Sequence, residues 1–552
     1  MARIFFLCVS LFVCVYGHKQ DDIITESASG RFVGSLMTSR RGRPIHAYRG
    51  IRYAQPPVGA LRFQPPVPIT FYPHEVNATL DGPACPQPAD PGYFVDEDCL
   101  RLNVYTPGVL GKWSLPVLVY IHAGGFYSVS GRSDVAGPQH LLDKDLVLVT
   151  INYRLGSLGF LSTGDEHAPG NNGFKDQVVA LQWVRANIAS FGGDAGRVTL
   201  AGYSAGAISV ALHTVSPMSR GLFHRAISMS GSPFSQIPFR CNLLHLAVQQ
   251  ARLVDCPVTS TAELVDCLRA VPWRVLGDSL KGFQEFSIDP ILIWTPVIEG
   301  DFGQERFLPE DPLRAIRAGK LRSVPYIVSQ TRDEFFWESF LVLNNSIYRT
   351  QINEDWYKVG PEAFLLPAPS DRSARALRAQ YLPARRLENT AADNAALGRL
   401  YGDAVIGFGA HRLANLMAYN NKEPTYYYEF NYIGNQSHYV DPASGKPVGV
   451  AHHDELIYLF SLPAGFQEIP VSDSRDSLMV DKLTTMFYNF ALTGNPNPLL
   501  DDCASPVWPP MRPDERQYLQ IGDHFSVHRN LFENRFRVWE YLYPIEYNLT
   551  KS

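Results

Sequence analysis

The pentapeptide at residues 202–206, G-Y-S-A-G, constrains the fold of this chain more than any other segment. The preceding residues 197–201, RVTLA, form an apolar and β-branched run that predicts a buried strand. The following residues 205–217, AGAISVALHTVSP, predict a helix that ends at a proline. A serine between such a strand and helix lies on a tight turn with its hydroxyl exposed above the sheet. We therefore interpret Ser204 as a nucleophile; the alternative is an ordinary turn serine.

A nucleophilic serine of this kind also needs donors for the oxyanion that forms during attack. The segment HAGGF at 122–126 directly follows the strand-like run LPVLVYI at 115–121. A glycine pair at the end of a buried strand allows backbone N–H groups to face a ligand. Gly124 and Gly125, with the N–H of Ala205 after the nucleophile, are the candidate oxyanion hole. The alternative is a simple Gly-Gly turn.

The base that activates the serine is expected late in the chain, after the acid. His452 and His453 lie in GVAHHDEL at 449–456, a turn-like segment that leads into a helix. A metal site built from these histidines with Asp454 and Glu455 is the competing interpretation. We disfavour it, because adjacent residues point in different directions and no further His or Cys pair has ligand spacing.

The acid is expected at the end of a strand between the serine and the histidine. The run VPYIVSQTRDE at 324–334 ends in two carboxylates, Asp333 and Glu334. Both have the chemistry needed to orient an imidazole, and the residues alone do not choose between them. A solvated turn is the alternative.

In these motifs the chain resembles the carboxylesterase/cholinesterase family of α/β-hydrolases, including secreted insect-type carboxylesterases and juvenile hormone esterases. The resemblance covers nearly the whole chain after the first residues. It is carried by YRGIRYAQPPVGALRF (48–63), EDCLRLNVYTP (97–107), HAGGF (122–126), NYRLGSLGF (152–160), the stretch 170–210, MSGS (229–232), SQTRDE (329–334), GVAHHDE (449–455) and NFALTGNPNP (489–498).

Carried over position by position, the resemblance implies a catalytic triad of Ser204, Glu334 and His452. It selects Glu334 because the family uses the last carboxylate of this segment, and His452 because the family pattern is G-x-x-H. It also implies the oxyanion hole given above and no cofactor or metal. Three implied supporting features are a buried serine, Ser230, behind the acid, and the structural ion pairs Arg62–Glu97 and Arg154–Asp176.

The chain departs from the family pattern at three places. Tyr203 stands where many members have Glu, which we interpret as a change in packing or selectivity rather than in the triad. Ala123 replaces the first glycine of H-G-G-G, but the two donor glycines remain. The loop from Cys85 to Cys99 has no Trp, and cholinesterases hold their quaternary ammonium there by a cation–π contact. This argues against a choline-ester enzyme.

The fold class expected is α/β: the α/β-hydrolase fold, with a large, mostly parallel central sheet flanked by helices. The candidate catalytic segments extend from residue 124 to residue 452, so they must converge in one fold. We therefore predict a single catalytic domain over residues 18–552. Strands are predicted at 117–121, 146–151, 198–201, 226–229, 325–328 and 426–432, and helices at 175–190 and 477–492. A net charge of −5 gives no reason to expect a nucleic-acid partner.

Residues 1–17 are predicted to be a signal peptide: Arg3 precedes an apolar run that is too short to span a membrane. No membrane span or GPI anchor is expected. The sequons at Asn77, Asn344, Asn435 and Asn548 suit a secreted glycoprotein.

Eight cysteines are present, and two of them lie in the predicted signal peptide. The remaining six suggest an oxidising compartment. The resemblance pairs Cys85 with Cys99 and Cys256 with Cys267. It leaves Cys241 and Cys503 unassigned.

The function expected is that of a secreted serine carboxylesterase acting on a small-molecule ester through an acyl-enzyme on Ser204. A juvenile-hormone-selective esterase is a narrower alternative, although such enzymes usually carry Gln at the position of Tyr203. A non-catalytic adhesion or binding protein on the same fold is the alternative from another class. Such proteins commonly lack a triad member, whereas all three residues are present here. The natural ester and the oligomeric state do not follow from the sequence.

Overall fold

The computed structural model describes residues 23–108, 114–441, 444–498 and 506–549. The predicted signal peptide at 1–17 and Cys503 lie outside these residues. The strands are β1 Ile23–Ser27, β2 Gly30–Thr38, β3 Pro44–Arg52, β4 Val76–Asn77, β5 Arg101–Pro107, β6 Leu115–Ile121, β7 Val147–Ile151, β8 Gly193–Tyr203, β9 Arg225–Met229, β10 Tyr326–Thr331, β11 Thr425–Phe430, β12 Gln517–Ile521 and β13 Phe525–Arg529.

Helices separate most of these strands, as the alternating pattern of the sequence predicts. They are α1 Gly156–Phe160, α2 Asn172–Asn187, α3 Ala205–His213, α4 Leu244–Leu253, α5 Thr261–Ala270, α6 Trp273–Gly277, α7 Pro312–Arg317, α8 Glu338–Asn344, α9 Ser346–Glu354, α10 Trp356–Ala363, α11 Asp371–Tyr381, α12 Ala391–Gly402, α13 Phe408–Asn420, α14 Leu456–Leu459, α15 Arg475–Thr493 and α16 Glu533–Leu542.

All of these strands join one sheet, in the order β1-β2-β3-β5-β7-β6-β8-β9-β10-β11-β12-β13, with β4 beside β2. The strands from β7 to β12 in this order pair in parallel, which confirms the predicted parallel centre. Antiparallel pairs lie at both edges. The sequence analysis did not predict these edges. At the outermost pairs only two or three residues connect the strands, and such short loops allow only antiparallel pairing.

The central strands are buried on both faces because helices cover the sheet from both sides. Every residue of β6 is buried, and its side chains alternate between two apolar clusters. Val117, Val119 and Ile121 pack in the cluster that contains α2, α3 and α13. Leu118 and Tyr120 pack in the cluster that contains α14 and α15. Continuous apolar runs of this kind are typical of parallel strands with both faces covered.

A third apolar cluster joins helices α8 to α12 with α16. It includes Phe335, the residue that follows the candidate acid. The packing of this helical layer therefore reaches the carboxyl ends of the central strands, where open α/β sheets place their ligand sites.

Candidate active site

Ser204 occupies a strained turn between β8 and α3. Its φ of 55° and ψ of −117° lie outside the regions that most non-glycine residues adopt. A Cβ added to Gly202 would lie 2.3 Å from the backbone of Gly206, and one added to Gly206 would lie 2.1 Å from the carbonyl oxygen of Ile121. Both glycines are therefore required because strand and helix backbones are in direct contact. Ser204 is 8% exposed at this turn.

Glu334 and His452 meet at the carboxyl end of the sheet. Glu334 follows β10 by three residues, and its Oε2 lies 2.5 Å from Nδ1 of His452. The other carboxylate oxygen of Glu334 accepts a hydrogen bond of 2.7 Å from the backbone N–H of Thr331. The ring of Phe335 covers the imidazole of His452 at a centroid distance of 4.5 Å. The carboxylate is thus held on two sides and fixes the orientation of the ring.

The second nitrogen of His452 is available for a proton. Its Nε2 is buried and has no hydrogen-bond partner among the residues that the structure describes. The imidazole lies beside the elbow, because the ring of Tyr203, which precedes Ser204, contacts it at 5.0 Å between centroids. A ring nitrogen left without a protein partner, with a carboxylate on the opposite nitrogen, is what general-base activation of a hydroxyl requires.

The candidate oxyanion donors lie on the turn after β6 and at the start of α3. Gly124 and Gly125 have φ values of 106° and 57°. A Cβ on Gly124 would lie 2.0 Å from the carbonyl oxygen of Ser128, so only glycine fits. Within the described ranges, the backbone N–H groups of both glycines and of Ala205 donate to no protein acceptor. These three donors are therefore free to bind an oxyanion.

Asp333 has a different role from the one its position suggests. On a strand end, adjacent carboxylates are expected to diverge, which would leave Asp333 facing solvent or capping the following segment while Glu334 faces the histidine. The two do diverge, but Asp333 Oδ2 accepts the backbone N–H of Val450 at 2.9 Å, and its own N–H donates to the Val450 carbonyl at 3.0 Å. Arg332 pairs with the same carboxylate at 2.7 Å. Asp333 therefore anchors the loop that carries His452.

Tyr203, which the sequence analysis interprets as a change in packing or selectivity, packs directly against the candidate base His452. Its hydroxyl oxygen accepts the backbone N–H of His453 at 2.8 Å, and its ring packs against His452 and His453. Nothing in the sequence indicates this contact, because it joins residues separated by about half of the chain.

The four residues of the alternative metal site point apart. His452 faces Glu334, Asp454 accepts hydrogen bonds from the backbone N–H groups of Ala451 and His438, and Glu455 accepts from Ser329. Among the residues described, no group of three or more His, Cys, Asp or Glu side chains is arranged to hold a metal ion. The side chains of His452, Asp454 and Glu455 therefore do not converge on a shared metal position.

Glu455 adds a third carboxyl group behind the pair of Glu334 and His452. It is completely buried, and its Oε1 accepts a hydrogen bond of 3.2 Å from Ser329. Burial, together with the nearby charge of Glu334, raises the pKa of Glu455 to about 8. Burial also lowers the pKa of His453 well below its ordinary value. At neutral pH both groups are therefore uncharged.

Most of the supporting features that the sequence analysis expects are present in the structure, but the hydrogen bond from Ser230 to the acid is not. The disulfides Cys85–Cys99 and Cys256–Cys267 and the ion pairs Arg62–Glu97 (2.5 Å) and Arg154–Asp176 (2.6 Å) are present. Cys241 is exposed and forms no disulfide with another cysteine of the described residues, which do not include Cys503. Ser230 is buried, and among the described residues no hydrogen bond joins its Oγ to Glu334; its hydroxyl lies instead close to that of Tyr203. Of the sequon asparagines, Asn77, Asn344 and Asn435 are exposed, and Asn548 is partly buried.

Comparison with known proteins shows the fold and the family of this chain. The crystal structure of juvenile hormone esterase from Manduca sexta, with OTFP covalently attached, superposes with a TM-score of 0.82 at 27% identity over 95% of this chain and 100% of that one. The fold is the α/β-hydrolase fold. A model of the carboxylesterase family matches residues 20–539.

Two insect esterases are similar to this chain in sequence. Juvenile hormone esterase of Tribolium castaneum is 37% identical over 508 residues, which cover 88% of this chain and 86% of the relative. Esterase FE4 of Myzus persicae is 35% identical over 501 residues, with 88% and 86% covered. The chain belongs to the carboxylesterase family and is a carboxylic ester hydrolase. No helix among the described residues has the length and apolar character needed to cross a bilayer.

Proposed function

We propose that this esterase acts through a covalent acyl-enzyme on Ser204, with His452 as general base and Glu334 as the acid that orients it. The observation that carries the proposal is the 2.5 Å contact between Glu334 Oε2 and His452 Nδ1, with Nε2 left unpartnered beside the elbow. A carboxylate on Nδ1 keeps the proton on that nitrogen, so that Nε2 is basic.

In the first half-reaction, Ser204 Oγ attacks the ester carbonyl carbon while Nε2 of His452 takes the hydroxyl proton. The carbonyl oxygen becomes an oxyanion that the N–H groups of Gly124, Gly125 and Ala205 stabilise. The imidazolium that forms is balanced by Glu334. When the tetrahedral intermediate collapses, the alcohol leaves with the proton from Nε2.

In the second half-reaction, water attacks the acyl-enzyme. Nε2 of His452 takes a proton from the water, the same donors hold the second oxyanion, and Ser204 leaves with the returned proton. The products are a carboxylic acid and free enzyme. The protein residues supply every proton transfer in this scheme.

A partition experiment tests the acyl-enzyme. Esters that share one acyl group but differ in alcohol are hydrolysed in the presence of methanol. A common intermediate predicts one ratio of methyl ester to free acid for all of them. Ratios that change with the leaving alcohol would contradict a shared acyl-enzyme.

We further propose that the protein is secreted as a single catalytic domain, residues 18–552, after removal of residues 1–17. Two disulfides and three exposed sequon asparagines support this proposal, because both features are typical of oxidising compartments. Expression in secretory cells should deliver glycosylated protein to the medium. Deletion of residues 2–17 should abolish its appearance there.

Selectivity for juvenile hormone is the second candidate. It is supported by the two relatives that carry that name, at 37% and 27% identity. A kcat/KM for juvenile hormone far above that for a short-chain naphthyl ester would establish it, and equal values would identify a broad carboxylesterase.

A further inference from the structure

Tyr203 connects the nucleophile elbow to the loop of the base. It is the last residue of β8, is completely buried and immediately precedes Ser204. Its hydroxyl oxygen accepts the backbone N–H of His453 at 2.8 Å. Its ring makes an edge contact with His452 and a tilted contact with His453, at centroid distances of 5.0 Å and 4.8 Å.

The loop needs such a contact because its backbone is strained at the residue after the base. His453 has a φ of 81°, in the left-handed region that side-chain-bearing residues rarely adopt. Such a conformation persists only where the surroundings hold it. On the N-terminal side of His452, Asp333 holds Val450 by two hydrogen bonds. On the C-terminal side, the Tyr203 hydroxyl holds His453.

We propose that Tyr203 is a positioning residue that sets the distance between His452 Nε2 and Ser204 Oγ. Because Tyr203 and Ser204 are neighbours in the chain, the connection is short: one peptide unit, one rigid side chain and one hydrogen bond separate the nucleophile from the loop of the base. This proposal rests on the proposed function. It assigns a role to Tyr203, which stands where many members of the family have Glu.

The phenol suits this position because it stays neutral. Burial, together with the charge of Glu334, raises the pKa of Tyr203 well above its ordinary value. The hydroxyl can therefore accept the N–H of His453 without adding a second negative charge beside the Glu334–His452 pair. A tyrosine side chain has only two main torsions, and both are restricted by packing here, so the acceptor is rigid.

The variant Tyr203→Phe keeps the ring and removes the hydroxyl, which leaves the buried N–H of His453 without a partner and also removes the contact with the Ser230 hydroxyl. We expect kcat to fall by about 10- to 100-fold, as small misplacements of catalytic groups do. KM should stay within about twofold, because the hydroxyl is buried and bonded to the N–H of His453. Turnover is to be expressed per active site, titrated with an organophosphate, so that only folded molecules are counted.

Tyr53→Phe is the matched control. It removes another buried tyrosine hydroxyl, which donates to the Asn152 carbonyl at 2.8 Å, far in sequence from both catalytic loops. We expect it to lower the melting temperature in a similar way but to leave kcat per titrated site unchanged. A wild-type kcat in Tyr203→Phe, or an equal loss of kcat in Tyr53→Phe, would overturn the proposal.

Ser204→Ala separates this proposal from the proposed function. If Ser204→Ala is inactive while Tyr203→Phe retains full kcat, only the positioning role fails. If Ser204→Ala remains active, the proposed function fails, whatever the result at Tyr203.

Discussion

The carboxylate of Glu334 lies 2.5 Å from the imidazole of His452, although 118 positions separate them in the chain. β10 and β11 are neighbouring parallel strands, so the segments that follow them emerge at the same edge of the sheet. The sheet therefore brings together an acid and a base whose separate loops would not otherwise meet.

The two adjacent histidines are expected to differ sharply in their effect on turnover. His452→Ala removes the base and should lower kcat by a factor of about 10⁴ or more. His453→Ala keeps the backbone N–H that binds Tyr203 and removes a neutral ring, so most activity should remain. Steady-state kinetics on both purified variants measures this, and reversed phenotypes would refute the assignment of the base.

Glu334→Gln keeps the shape of the side chain but removes the negative charge that balances the imidazolium. We expect kcat to fall by a factor on the order of 10⁴, with the melting temperature little changed.

Asp333→Asn is the paired control for that variant. It loses the ion pair with Arg332, worth roughly 1 kcal/mol or less at a partly exposed site. The amide oxygen can still accept the N–H of Val450. Because Asp333 anchors the loop of the base, we expect a loss in kcat below about tenfold rather than a silent change. A larger loss in Asp333→Asn than in Glu334→Gln would show that the acid is wrongly assigned.

Glu455 should make the stability of the protein depend on pH. Its pKa is about 8 in the folded state, against an ordinary value of 4.5. Between these values the folded state holds a proton that the unfolded state has released, so stability falls as pH rises through this window, by up to about 1.4 kcal/mol per pH unit. Glu455→Gln, a neutral isostere, should lose this part of the dependence. Urea unfolding at pH 5.5 and pH 8 measures it, and identical pH dependence in both proteins would contradict a protonated Glu455.

Gly206→Ala should destabilise the fold. Its Cβ would lie 2.1 Å from the carbonyl oxygen of Ile121, and neither backbone can move without disturbing the sheet. We expect the free energy of unfolding to fall by at least about 2 kcal/mol. Gly465→Ala is the control, because its Cβ would meet nothing within 4 Å. If both variants unfold at the same urea concentration, strand and helix do not approach as closely as described.

Much of this architecture could be predicted from the sequence. The central parallel strands from β6 to β11 appear in the sequence as short runs rich in apolar and β-branched residues, because strands buried on both faces favour such side chains. The candidate serine, glycine pair and histidine also stand out, since each lies at a turn that directly follows such a run or precedes a helix.

The contacts that join distant segments of the chain within the site could not be predicted. The hydrogen bond from His453 to Tyr203 and the anchoring of Val450 by Asp333 join segments that are distant in the chain, and such contacts leave no local pattern. The burial of Glu455 follows from contacts with distant segments, such as its hydrogen bond with Ser329, rather than from its neighbours in sequence. Between Asp333 and Glu334, the residues alone gave no choice, and their different contacts appear only in the folded protein.

Identification of the modified residue tests the central claim most directly. The protein is inactivated with an organophosphate and digested, and the adduct is located by mass spectrometry. The account predicts one adduct per molecule, on Ser204, with inactivation proportional to labelling and no adduct in Ser204→Ala. An adduct on another residue, or full hydrolytic activity in Ser204→Ala, would contradict it.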